Sequence, residues 1–245
     1  MRIFSPNGLV VRLARAFSFI CNVLLLGLLV SFTQPGTHRV LSPGSFGLTE
    51  VADRVWTDAP ERAGEIVGLV ETSRERVGSF FGDAPSNPTL ILCATRTCAR
   101  DFGIGGNGLS IADLAVMVSP GGLTVGTLTH EMTHSRLHRS MGLRNLVDHP
   151  FPTWFDEGLA TYVAGHPRWP GRTTAEARAR VRQTSHFWQW GDTMRELGVG
   201  RAYAAAAAEV AQMEALAGRS GLLELIARAE AGEDFEILES EITRR

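Results

Sequence analysis

The segment HEMTH at residues 130–134 constrains the fold and the chemistry of this chain more than any other stretch. On a helix, His130 and His134 lie one turn apart on the same face, so both imidazoles can reach one metal ion. Glu131 is then close enough to accept a proton from a water molecule on that ion. Flanking apolar positions recur at spacings of three and four and stop at Gly142, which predicts a helix with one inward face.

A catalytic zinc ion usually takes three protein ligands and leaves a fourth position open. His138 lies about 12 Å along the helix axis from His130, which is too far for both to bind the same ion. The better third ligand lies downstream in WFDEGLA, residues 154–160, where a helix can return Glu157 to face the first two histidines. The residue types therefore predict Zn²⁺ bound by His130, His134 and Glu157.

HEMTH followed by WFDEGLA resembles the gluzincin zinc metallopeptidases, in particular the small peptidase-MA-like domains of bacterial envelope proteins. The resemblance extends over about residues 56–239. It implies a zinc-dependent hydrolase that cleaves peptide bonds in a peptide or protein substrate. In that family the residues that match His130, His134 and Glu157 bind zinc, and the residue that matches Glu131 is the general base.

The same resemblance assigns roles to three further places. Tyr203 is expected to donate to the oxyanion of the tetrahedral intermediate; the alternative is a packed aromatic residue at the start of a helix. Many relatives carry an acid four residues after the ligand Glu to orient a ligating His, and this chain has Thr161 there. The strand at residues 115–118 is expected to border the cleft and pair with substrate; the alternative is an inner strand.

The order of the predicted elements indicates an α+β fold. A helix is predicted from an oxygen-bearing cap at residues 57–58 to Gly82, with short strands at residues 88–95 and 114–118. The glycine-rich stretch at residues 103–108 is interpreted as a loop. The short sheet is expected to pack on the motif helix, and the C-terminal half is expected to be mainly helical.

Other polar and aromatic residues allow less specific interpretations. Cys93 and Cys98 either form a disulfide or are two small buried residues. Aromatic residues 187–190 fit core packing better than a substrate pocket. Three further histidines are expected at the surface or around the ligands, not as ligands: His149, His166 and His186.

Residues 1–33 predict a membrane segment. Three arginines precede an apolar run at residues 16–32, which is roughly 25 Å long as a helix, against a bilayer core of about 30 Å. Small residues of the A-x-A type are missing at its end, which favours an uncleaved signal-anchor over a cleavable signal. By the positive-inside rule, the domain at residues 34–245 would then lie outside the cytoplasm on a single-pass anchor, or be secreted if the segment is cleaved.

Composition excludes two classes of protein. With 24 basic and 26 acidic residues the net charge is −2, which argues against a strongly basic nucleic-acid binder. Three cysteines are too few for a disulfide-dense scaffold. Two alternatives to the peptidase remain: a non-catalytic zinc-stabilised binding or assembly module, and a chance HExxH run on an ordinary helix.

Overall fold

The computed structural model describes residues 36–83, 86–139, 149–165 and 173–243. Within these residues, five short strands form a mixed sheet in the order β1-β2-β3-β5-β4. The strands are β1 (Thr49–Ala52), β2 (Val55–Thr57), β3 (Thr89–Leu92), β4 (Gly108–Ile111) and β5 (Ala115–Val118).

The strands at the centre of the sheet are parallel, and those at its two sides are antiparallel to their neighbours. β2, β3 and β5 run parallel, β1 pairs antiparallel with β2, and β4 pairs antiparallel with β5. The strands predicted within residues 88–95 and 114–118 are confirmed as β3 and β5. The expectation that substrate pairs with β5 is wrong and the alternative of an inner strand is confirmed, because β3 and β4 bond β5 on both sides. Among the described strands the edge next to β5 belongs to β4, which begins at the last glycine of the predicted loop.

The chain is mainly helical after the sheet, so the predicted α+β class and its helical C-terminal half are confirmed. The helices in the described part are α1 (Ala63–Phe81), α2 (Arg96–Asp101), α3 (Val125–Leu137), α4 (Thr153–Ala164), α5 (Ala175–Val181), α6 (Phe187–Leu197), α7 (Val199–Glu230) and α8 (Phe235–Ile242). Short 3₁₀ helices occupy Thr37–Leu41, Pro43–Phe46, Pro60–Arg62 and Pro120–Gly122. Helix α7 is interrupted at Gly218, whose φ of 71° and ψ of 169° are not helical.

The start of α1 differs from its prediction, whereas its end does not. Asp58 does not cap the helix: its carboxylate accepts hydrogen bonds from the backbone N–H groups of Ala94 at 2.7 Å and Thr95 at 3.1 Å. This ties the entry of α1 to the end of β3. The helix stops at Gly82, where φ is +73°, a conformation that glycine adopts without steric cost.

The two faces of the sheet pack against different layers. Alternate residues of β3 and β5 point to opposite faces, so Leu90 and Val116 join the large core beneath the helices. Ile91 and Met117 join a smaller core on the other face. The smaller core contains a disulfide between Cys93 and Cys98, which decides between the two interpretations of that pair.

The predicted single-pass location in the cell membrane is contradicted by the helices of the described residues. None of them is both long and apolar enough to cross a bilayer. The longest, α7, has 32 residues but carries charged side chains along its length. Residues 1–33, on which the anchor was predicted, lie outside the described part.

Candidate metal centre

Helix α3 carries the HEMTH motif through the middle of the protein. Its N-terminus is capped by Thr124, whose hydroxyl accepts from the backbone N–H of Thr127 at 3.2 Å. Every residue from Thr127 to Leu137 is buried, so the helix is central and has no solvated face, in contrast to the single inward face predicted. It ends at Leu137 with His138 as C-cap, before the predicted stop at Gly142, which lies outside the described residues.

The predicted ligands His130, His134 and Glu157 converge on one point. The His130 and His134 Nε2 atoms are 3.1 Å apart, and the Glu157 Oε2 atom lies 3.3 Å from the first and 3.5 Å from the second. A tetrahedral zinc ion with bonds of about 2.0–2.1 Å holds its ligand atoms roughly 3.3 Å apart. The three atoms therefore have the spacing of one face of a coordination tetrahedron.

The protonation and hydrogen bonding of Glu157 also fit a bound cation. Burial alone raises the pKa of Glu157, but the facing His130 and His134 side chains lower it to about 2, so the carboxylate is ionised at neutral pH. Among the described residues, no donor stands in hydrogen-bonding geometry to its buried Oε2 atom. A buried anionic oxygen without a donor is costly. This donor set of two imidazoles and one carboxylate can hold a metal ion.

A close helix–helix approach fixes the direction of Glu157. A Cβ atom on the next residue, Gly158, would lie 2.6 Å from the carbonyl oxygen of Ala206, so α4 can rest on α7 only with glycine at this position. The alanine-rich start of α7 supplies the matching flat surface, with Ala202, Ala205 and Ala206 fully buried. The close contact between the two helices therefore explains why the WFDEGLA segment has a glycine at residue 158.

Glu131 lies beneath the first residue of β4. A Cβ atom at Gly108 would come within 2.6 Å of the Glu131 Oε1 atom, so glycine makes the room for this carboxylate. Burial raises the pKa of Glu131, an effect that the charges of His130 and His134 oppose and that of Glu157 reinforces. A carboxylate with a raised pKa is suited to accept a proton near neutral pH.

The structure places Tyr203 next to the predicted ligands. Its ring centroid lies 5.7 Å from that of His130 and 5.3 Å from that of Trp190. Burial raises the pKa of Tyr203, so the phenol keeps its proton. Both interpretations of this residue, hydroxyl donor and packed ring, are compatible with this position.

Of the neighbouring aromatic residues, Trp190 is buried as predicted, whereas Phe187 and Trp188 are 66% and 61% exposed and not in the core.

Sequence reasoning missed Asp156, which lies at hydrogen-bonding distance from one of the predicted ligands. The His134 Nδ1 atom lies 2.9 Å from Asp156 Oδ1. An acid that contacts His134 is therefore present just before Glu157, whereas at the fourth position after Glu157 the buried Thr161 hydroxyl has no hydrogen-bond partner within the described ranges. Successive residues on a helix project in different directions, so Glu157 faces Nε2 of His134 and Asp156 faces Nδ1.

Asp156 and His134 shift each other's pKa. Burial alone raises the pKa of Asp156, but the charges and hydrogen bonds of His138 and His134 hold it well below the usual range. Burial alone lowers the pKa of His134, but the nearby Asp156 and Glu157 carboxylates raise it well above the usual range. The adjacent acids in the WFDEGLA segment were the signal that could have pointed to this pairing.

Among the described residues, no other histidine joins the group of His130, His134 and Glu157. His138 Nε2 lies 2.9 Å from Asp156 Oδ2, so it belongs to a second, adjoining group with His134 and Asp156. The ring of His149 stands edge-to-face on that of His138 at 5.1 Å. His186 is exposed and stacks on Trp188, and His166 lies outside the described residues.

Comparisons of the chain with protein-family models, with curated proteins and with solved structures find no match. Membership of the gluzincin family therefore stays a prediction that rests on the two motifs, and the functional argument rests on the geometry of the site.

Proposed function

We propose that this protein is a zinc-dependent peptidase of the gluzincin type that hydrolyses bonds in a peptide or protein substrate. The observation that carries the proposal is the convergence of His130, His134 and Glu157 at the spacing of a coordination tetrahedron, with Glu131 beside them. A purely structural metal site has no need of a buried carboxylate next to its ligands. Glu131 is such a carboxylate, and its raised pKa fits a proton acceptor.

The chemistry divides among the metal and three kinds of protein group. His130, His134 and Glu157 would hold the zinc ion, which would supply a Lewis acid for lowering the pKa of water and polarising a carbonyl. Glu131 accepts the proton of the attacking water and passes it to the leaving amine. Tyr203 donates its phenolic proton in a hydrogen bond to the substrate oxygen that gains negative charge.

The position of β4 supports an extended peptide as substrate. The outer edge of β4 pairs with no strand in the part of the chain that the structure describes. An extended segment can add to such an edge through backbone hydrogen bonds. Because Gly108 at the start of β4 contacts Glu131, a peptide bound along this edge passes close to the proposed base.

The test is the replacement Glu131→Gln in the full-length chain. Labelled casein and a library of quenched fluorescent peptides serve as substrates, and zinc content is measured on the same samples. We expect turnover to fall about 10²–10⁴-fold, because the amide cannot accept the proton, while zinc stays bound. The matched control is Glu71→Gln, because Glu71 lies on the exposed side of α1. This substitution should change neither turnover nor zinc content.

Two results would count against the proposal in different ways. Unchanged turnover in Glu131→Gln would remove Glu131 as the base. A wild-type protein that binds zinc and cleaves none of the substrates would favour the non-catalytic zinc-stabilised module.

A further inference from the structure

The Asp156 carboxylate lies between two histidines that follow each other by one turn at the end of α3. Its Oδ1 atom is 2.9 Å from His134 Nδ1, and its Oδ2 atom is 2.9 Å from His138 Nε2. The three side chains are between 11% and 14% exposed. Residues four apart share a helix face, so the spacing of His134 and His138 lets one carboxylate from α4 meet both rings.

The bond to Asp156 fixes which nitrogen of His134 is available to a metal. When Nδ1–H donates to Oδ1, the lone pair of the neutral ring is on Nε2, the atom that faces His130 and Glu157. The orientation of this ring therefore depends on the orientation of the Asp156 carboxylate.

His138 in turn fixes that carboxylate. The χ2 torsion of an Asp side chain has a broad range of allowed values, so one hydrogen bond alone leaves the carboxylate free to rotate. The second bond, from His138 Nε2–H to Oδ2, removes this freedom and satisfies an oxygen that is otherwise buried without a donor. The ring can donate through Nε2 both as the corresponding neutral tautomer and as the imidazolium.

A second metal ion is the competing explanation for this group. Its potential ligand atoms lie within 4.8 Å of one another. However, both Asp156 oxygens are already at hydrogen-bonding distance from a ring nitrogen. His134 would also have to lose both ring protons to bind two ions. The distances therefore favour hydrogen bonds over a second metal ion.

We propose that His138 is a positioning residue of the metal centre, which holds Asp156 so that Asp156 holds His134. The proposal rests on the zinc site of the proposed function, but it does not depend on peptidase activity. It assigns a role to a residue that binds neither the first metal ion nor the substrate.

The experiment compares His138→Gln and His138→Leu with the wild-type full chain. The side-chain amide of Gln can keep an N–H donor near the Nε2 position, whereas Leu has none. Zinc affinity is measured by competition with a chromophoric chelator. The Nδ1–H resonance of His134 is followed by NMR in the zinc-free and the zinc-loaded protein. His38→Leu, at an exposed position in the 3₁₀ helix Thr37–Leu41, is the control for loss of a histidine.

We expect His138→Leu to weaken zinc binding about tenfold and to shift or broaden the His134 resonance, while His138→Gln restores most of both. Equal effects of Leu and Gln, or no effect of either, would overturn the proposal. So would a second bound zinc equivalent in the wild type that is lost in His138→Leu. A wild type that binds zinc without peptidase activity refutes only the proposed function, and a wild type that binds no zinc refutes both.

Discussion

The two histidines of the motif are held in different ways. At the C-terminal end of α3, His134 is fixed by a hydrogen bond to Asp156, which is fixed by a second bond to His138. At the other histidine, His130, the buried Nδ1 atom has no hydrogen-bond partner among the described residues, and the ring packs edge-to-face on Tyr203. One histidine is therefore oriented by polar contacts and the other mainly by packing. Substitutions around the two histidines should accordingly have different consequences.

The largest of these effects is expected at Tyr203, the ring on which His130 packs. Tyr203→Phe keeps the ring beside His130 but removes the hydroxyl, so kcat should fall about 10²–10³-fold through loss of the proposed oxyanion donor. Zinc affinity should stay unchanged. Steady-state kinetics and chelator competition measure the two quantities.

Tyr203→Leu sharpens this test because it also removes the ring. Weaker zinc binding in the Leu variant, but not in the Phe variant, would show that packing orients His130. If kcat is retained in Tyr203→Phe, the residue is a packing group and not a catalytic one.

The second largest effect is expected at Asp156, which contacts His134 through a hydrogen bond. Asp156→Ala removes the acceptor of both His134 and His138, so zinc affinity should fall about 10–100-fold. Chelator competition measures the change. Asp192→Ala, at an exposed position on α6, is the control and should bind zinc as the wild type does. An Asp156→Ala protein with wild-type affinity would mean that packing orients both histidines.

The smallest of these effects concerns Glu131, the proposed general base, which belongs to neither set of contacts. Gly108→Ala places a Cβ atom 2.6 Å from Glu131 Oε1, so the carboxylate must move and kcat should fall about tenfold while zinc stays bound. Gly106→Ala is the matched control, since a Cβ atom there meets nothing within 4 Å. Equal activity of the two variants would show that the position of Glu131 does not depend on β4.

Features encoded by neighbouring residues could be predicted from the sequence. The HEMTH spacing, the apolar runs that form β3 and β5, and the glycine that ends α1 each depend on a few adjacent positions. Strands β1, β2 and β4 were missed because their segments TEVA, VWT and GLSI contain no run of three or more apolar residues, whereas β3 and β5, although also short, do. The α+β class could nevertheless be predicted, because it depends on the order of the elements and not on every one of them.

Features that depend on contacts between distant segments could not be predicted. The position of β5 inside the sheet is set by its pairing with β4, which no local pattern of β5 reveals. Asp58 has the residue type and position of a helix cap, yet it binds the backbone after β3. His138 is not part of the group of His130, His134 and Glu157, and its link to His134 runs through Asp156, a residue of another helix.

The central claim is that His130, His134 and Glu157 form a metal site, and metal analysis of the purified full-length protein tests it most directly. After reconstitution with zinc and removal of the excess, the wild type and the control His38→Ala should each contain close to one zinc ion per chain. His134→Ala should contain almost none. A wild type without zinc, or a His134→Ala protein that keeps its zinc, would contradict the account.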